Sequence, residues 1–127
     1  MSLAQVALLT HAGFGEALLD VVEHIYGDRP AAVFALSPAG DDLTSLRARL
    51  QELIDAAGSE RPLLILCDIR GASPANALPE TWANPWVRVV YGLNLPMLLR
   101  ALSRREHWEG LPELVAEGGR AAIQGHP

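Results

Sequence analysis

The sequence predicts an α/β fold: a doubly wound, mostly parallel sheet with helices on both faces. Three observations carry that prediction. Four short runs rich in Val, Ile and Leu lack clean alternation with polar residues, the pattern of strands buried on both faces. Segments with helical periodicity lie between those runs. Strands alternating with helices require right-handed crossovers, and so a parallel sheet. The chain has 127 residues, 50% hydrophobic and 20% charged. That suits one domain spanning residues 1–127 with a real core.

Val6 to Leu9 is the first strand. Phe14 to Tyr26 follows as a helix, with Ala17, Leu18, Val21, Val22 and Ile25 expected inward and Gly27 ending it. Ala31 to Leu36 is the second strand. The next helix begins near Asp41-Asp42, either of which can cap it. It sets Leu43, Leu46, Leu50, Leu53, Ile54 and Ala57 on one stripe, and Gly58 stops it. Leu63 to Cys67 and Val87 to Tyr91 are the third and fourth strands. Ser73-Pro74, Leu95-Pro96 and Leu111-Pro112 each open a helix, because proline's missing N–H has no intrahelical partner in a first turn. Pro79 cuts the first of these short or kinks it. The Pro96 helix runs to about Arg105. The tail 119-GRAAIQ-124 reads either as helix or as a short fifth strand at the sheet edge, and Gly125 to Pro127 are expected to fray.

Bulk properties exclude several classes. A formal net charge of −5 argues against nucleic acid and acidic membrane surfaces as partners. No apolar run approaches the roughly 20 residues of a membrane span. The first residues lack the pattern of a secretory signal, so a cytoplasmic protein is expected. Cys67 is the sole cysteine, which excludes an internal disulfide and a thiolate metal cluster.

In a doubly wound sheet, ligands gather beyond the carboxyl ends of the strands, where strand order reverses. Three loops qualify: 10-THAG-13, 68-DIRGASPAN-76 and 92-GLNLPM-97. With order 2-1-3-4, His11 and Asp68 project into the same crevice. Imidazole titrates near ~6.5, so a neutral nucleophile is available at near-neutral pH. A carboxylate on one ring nitrogen fixes the tautomer and stabilises positive charge developing on the ring. Gly13 and Gly15 keep the approach open and let the chain turn sharply. Gly71-Ala72-Ser73-Pro74 is a small-residue loop ending at a helix start, a natural seat for an anion. Ser73 can cap that helix, contact the anion, or exchange between both. Nucleophile, orienting carboxylate and anion cradle together point to phosphoryl transfer through a phosphohistidine, with no metal or organic cofactor.

These residues resemble the mannose-family enzyme IIA domain of the bacterial phosphoenolpyruvate-dependent sugar phosphotransferase system. The markers are Thr10-His11 closing the first strand, Asp68 with Gly71-Ala72-Ser73-Pro74 and Asn76, and 92-GLNLPM-97, and the match covers nearly the whole chain. The resemblance implies that His11 accepts phosphoryl from phospho-HPr and passes it to a IIB protein. Asp68 would orient His11, with Thr10, Gly71, Ala72 and Ser73 contacting the phosphoryl group. It further implies a homodimer completed by a swapped C-terminal strand, and association with a membrane permease complex through IIB. Ala72 stands where the family usually has a second glycine, and Pro79 interrupts a helix that usually continues. No IIB domain follows, so IIB is expected as a separate protein. Relatives of this kind also serve regulatory phosphorelays, or supply phosphoryl to dihydroxyacetone kinase.

Other readings fit less well. A two-component receiver needs an acidic pair after the first strand, where Thr10-His11 stand, and a lysine, whereas every Lys/Arg position here is arginine. A serine-hydrolase elbow needs Gly-x-Ser-x-Gly, and residues 71–75 read Gly-Ala-Ser-Pro-Ala. A noncatalytic module controlled by its phosphorylation state fits every residue and differs only in where the phosphoryl group goes. His24 is expected as a partly exposed packing residue, and His107 and His126 as solvated. Trp82, Trp86 and Trp108 read as packing or interface residues. Gly92 and Asn94 read as turn formers. Arg70 either adds positive charge at the cleft mouth or reaches solvent.

Overall fold

The computed structural model describes residues 3–127. Its strands are β1 (Gln5–Leu9), β2 (Val33–Leu36), β3 (Leu63–Cys67) and β4 (Val87–Tyr91). All pairings are parallel, in the order β2-β1-β3-β4. Leu9 pairs with both Leu36 and Cys67, and Cys67 with Tyr91, so the strands finish on one rim. The helices are α1 (Phe14–Tyr26), α2 (Thr44–Ala56), the single turn α3 (Ser73–Asn76), α4 (Leu95–Ser103) and α5 (Leu111–Ala121).

Strand side chains alternate between faces, and the two cores follow from that period. Val6, Leu8, Leu64 and Leu66 pack with α1, α4 and α5. Ala7, Leu9, Leu63, Ile65 and Cys67 pack with α2 and with Ala77. Every residue of β1 and β3 is buried, as a run without polar alternation predicts. β2 and β4 depart from that expectation. They form the sheet edges, where all of β2 is half-buried and Arg88 and Tyr91 of β4 are exposed.

The helix bounds of α1 match the sequence reading, but its inward face matches only at Leu18 and Val22. Gly27, at φ 88°, ends it in the left-handed conformation. The buried side is Gly15, Leu18, Leu19 and Val22. Val21 and Ile25 are 40% and 48% exposed, and Ala17 is exposed too. The cause is Gly15. A Cβ there would lie 3.3 Å from the Leu8 Cβ and 3.4 Å from the Ala35 Cβ, so the helix rests on the sheet at the residue without a side chain.

α2 starts at Thr44 rather than at the acids, and Asp42 accepts the Thr44 N–H at 2.9 Å. At its other end, Asn84 Nδ2 donates to the Ile54 and Ala57 carbonyls at 3.0 and 2.9 Å. A distant amide thus finishes the helix, while Gly58 turns to pair with Arg61. α3 ends at Asn76, and bonds from the Ala77 and Leu78 N–H groups to the Pro74 and Ala75 carbonyls, both at 3.1 Å, carry the turn up to Pro79, which has no N–H to continue it. α4 is capped by Asn94, whose Oδ1 accepts the Met97 N–H at 2.9 Å.

Arg105 follows α4 but turns inward and is 7% exposed. Its Nε donates to the Ala4 carbonyl at 2.9 Å and its Nη2 to the Ala32 carbonyl at 3.3 Å. Burial pulls its guanidinium below its ordinary value. For the tail, the helix alternative holds over residues 119–121, which close α5; residues 123–127 form no strand within the chain. Gly118 and Gly119 admit close packing on α4, since a Cβ on Gly119 would lie 2.4 Å from Met97 Cγ. Among the described residues no helix is long and apolar enough to cross a membrane.

Candidate functional site

Order reverses between β1 and β3, and the loops after these two strands meet at that point. His11 and Asp68, 57 positions apart, come together there, with His11 Nδ1 2.8 Å from Asp68 Oδ2. The same oxygen accepts the His11 backbone N–H at 2.8 Å. Oδ1 accepts the Ile69 N–H at 2.8 Å. Three donors hold the carboxylate before any ligand arrives. The imidazole is 52% exposed and the carboxylate 13%.

Burial pushes the Asp68 carboxyl up, but hydrogen bonds from the His11 amide, the His11 ring and the Ile69 amide outweigh it, leaving the group below its ordinary value. An ionised carboxylate only accepts hydrogen bonds. The proton of a neutral His11 ring therefore sits on Nδ1, and the Nε2 lone pair faces outward. Strand ends thus present an oriented imidazole on an open surface.

The first loop is braced from below. Thr10 is 1% exposed. Its Oγ1 donates to the His11 carbonyl at 3.2 Å and accepts the Gly15 N–H at 3.0 Å. The candidate phosphoryl contact at Thr10 thus has its hydroxyl turned inward, tying His11 to the start of α1. The sharp turn falls at Ala12, φ 44°, with Phe14 N–H donating to the His11 carbonyl at 3.2 Å. Gly13 has φ −90° and Gly15 lies within α1, so the sharp turn expected at these glycines is made by Ala12 instead. A left-handed alanine is strained on the order of 1–2 kcal/mol, a cost the surrounding bonds hold in place.

The second loop turns at Gly71, φ 85°, which favours glycine. Ala72 has φ −100° and ψ 173°, extended angles that alanine adopts without strain, so the family's usual glycine is not needed for backbone shape. Neither the Gly71 nor the Ala72 N–H donates to a backbone carbonyl among the described residues. Ser73 is exposed and makes no cap bond. Because α3 spans four residues, its dipole is small, which leaves local amides and the Ser73 hydroxyl as the donors on this loop. Gly92, at φ 90°, and Asn94 shape the loop after β4.

The remaining candidates lie elsewhere. His24, His107 and His126 are exposed, with His107 3.3 Å from Glu106. Trp82 and Trp108 pack against the two cores, and Trp82 Nε1 donates to the Val87 carbonyl at 3.2 Å. Burial pushes the Cys67 thiol up to about 11. Among the described residues no group of three or more His, Cys, Asp or Glu is placed to hold a metal ion.

A parallel α/β sheet that sets an exposed histidine against a locked carboxylate at its switch point is the architecture this chain presents. The chain belongs to the family described as "PTS system fructose IIA component", whose model matches residues 5–117. It is 29% identical over 103 residues to the "PTS system fructose-specific EIIA component" of Bacillus subtilis (strain 168), covering 80% of this chain and 70% of that protein. It is 26% identical over 123 residues to the "PTS system mannose-specific EIIAB component" of Escherichia coli (strain K12), covering 94% of this chain but only 38% of that longer protein. Among solved structures, the mannose/sorbose-specific IIA subunit from Enterococcus faecalis superposes with a TM-score of 0.75 at 28% identity, covering 100% of this chain and 96% of that one. A component EIIA from Streptococcus agalactiae shares the fold at a TM-score of 0.81 and 24% identity, with 96% of each chain covered.

Proposed function

We propose that this chain is a phosphoryl carrier in a sugar phosphotransferase system, loaded on His11 by phospho-HPr and unloaded onto a IIB domain. The observation that carries the reading is the 2.8 Å contact between His11 Nδ1 and an Asp68 carboxylate already held by two backbone amides. Nε2 attacks phosphorus in line with the leaving donor. The bond from Nε2 to phosphorus forms as the donor's bond breaks, and that electron pair leaves with the donor. Asp68 keeps the Nδ1 proton in place and offsets positive charge on the ring. Amides of Gly71 and Ala72, with the Ser73 hydroxyl, receive the phosphoryl oxygens. Catalysis here is positioning and electrostatics, in which a step of this kind needs no metal from the protein.

The carrier works as a cytoplasmic homodimer in this reading. Ile123 is 76% exposed and lines a groove with Tyr91 at the end of edge strand β4, which supports a tail that crosses to a second copy. Incubation with phosphoenolpyruvate, enzyme I and HPr tests the loading step. An acid-labile phosphate maps to His11, and His11→Ala loses it. Full labelling of that variant removes His11 from the reaction.

A further inference from the structure

The loops at the carboxyl rim of the sheet (10–13, 37–43, 68–72 and 92–94) contain one Lys or Arg, Arg70, against Asp41, Asp42 and Asp68. A phosphoryl group on Nε2 of His11 adds about two further negative charges, on the side of the ring away from the Asp68 carboxylate. Local amides carry only partial charge, so the rim has a single formal cation to offset the new group.

Among the described residues only Arg29 and Arg49 pair with carboxylates, and Arg70 is among the arginines that do not. Its guanidinium instead lies 5.7 Å from the centroid of the Tyr91 ring. Tyr91 is the register partner of Cys67, the residue before Asp68, so the stack stands one strand from the site. Both residues are exposed, and both line a groove of about 400 Å³ that also contains Glu80 and Trp82. On the other side of Tyr91, Arg120 lines a smaller groove. An exposed stack on a ring is a weak restraint, whereas a guanidinium on a phosphoryl group makes paired, charge-assisted hydrogen bonds.

We propose that Arg70 is a movable phosphoryl-binding residue. It rests on the Tyr91 ring while His11 is unmodified, and it leaves the ring to hydrogen-bond the phosphoryl oxygens when His11 is loaded. The inference rests on His11 being the phosphoryl acceptor. Arg70 forms no covalent bond and keeps its protons throughout; the charge of the loaded state is shared between guanidinium and phosphoryl oxygens, which shields phosphorus from water.

The test loads His11 chemically with phosphoramidate, whose bond from nitrogen to phosphorus breaks as ammonia leaves, so no protein donor is involved. After removal of the reagent, the half-life of the phosphorylated protein is followed by intact mass, and the Tyr91 ring protons by NMR. In the unmutated protein, loading shifts the Tyr91 ring signals. Arg70→Gln abolishes that shift and shortens the half-life about three- to tenfold, Arg70→Lys falls between, and Arg120→Gln stays within about twofold. An unchanged half-life in Arg70→Gln, or an equal loss in Arg120→Gln, overturns the proposal. Loading by phosphoramidate without loading by phospho-HPr would refute the carrier reading and leave this test intact. Failure of both reagents to modify His11 refutes the two together.

Discussion

Replacing Asp68 by asparagine probes the site where its geometry is tightest. Oδ2 takes two donors from His11 and Oδ1 a third from Ile69, all at 2.8 Å. Asparagine keeps one acceptor oxygen and turns an NH₂ toward the other donors. If its oxygen stays with His11, its NH₂ faces the Ile69 N–H; if it flips, the NH₂ faces the imidazole and the His11 amide. Either way donor meets donor. A hydrogen bond to a charged group contributes about 1.5–3 kcal/mol. The imidazole is 52% exposed, so water replaces part of the loss and the lower end applies. At roughly 1.4 kcal/mol per factor of ten, phosphoryl transfer slows about ten- to thirtyfold. Rapid-quench transfer of labelled phosphoryl from phospho-HPr measures the rate. A folded variant within twofold of the unmutated rate refutes the role given to the carboxylate. The same substitution has a pH signature. Because the carboxyl is held below its ordinary 3.8, its stabilising contribution is present above that pH and is lost as pH falls through the lowered value. Urea stability of the two proteins should therefore converge in acid, and a gap that widens there would contradict the hydrogen-bond arrangement.

Other expectations follow from single contacts. Arg105→Ala removes two charge-assisted bonds to the Ala4 and Ala32 carbonyls, and should lower urea stability by about 2–4 kcal/mol; a change under about 0.5 kcal/mol would show that the clamp is idle. Gly119→Ala drives a methyl to 2.4 Å from Met97 Cγ and should cost about 1–3 kcal/mol, unless the α4–α5 contact is looser than described. Gly71→Ala forces a left-handed alanine at the cradle, costing about 1–2 kcal/mol and slowing loading; a loading rate equal to that of the unmutated protein would remove this loop from phosphoryl binding. Cys67, buried and with its thiol pushed up to about 11, should react with a thiol reagent at pH near 8 only when urea unfolds the chain, and immediate labelling of the native protein would contradict its placement.

The residues that were easiest to read are those whose chemistry or pattern has one interpretation. Two uninterrupted apolar runs became the central strands β1 and β3, and the assumption of a 2-1-3-4 order was enough to bring His11 and Asp68 together. The α1 face was misplaced because Leu18 and Val22 belong equally to two overlapping stripes. The choice between Ala17, Val21, Ile25 and Gly15, Leu19 was made by close approach of the sheet at a glycine, which a count of apolar side chains cannot register. Nothing local to Arg105 signals that the carbonyls just before β1 and β2 lie within its reach. The resemblance makes Thr10 a phosphoryl contact, whereas its place at the buried strand end turns the hydroxyl inward to the His11 carbonyl and the Gly15 N–H. The left-handed turn fell on Ala12 between His11 and Gly13, although glycine is the better candidate by conformational freedom alone.

The central claim is that Asp68 holds Nδ1 and leaves Nε2 as the nucleophile. Nitrogen-15 NMR of the protein after loading by phospho-HPr tests it most directly. Phosphorus coupled to Nε2 of His11 is the expected result; phosphate on Nδ1, or on any other residue, contradicts the assignment.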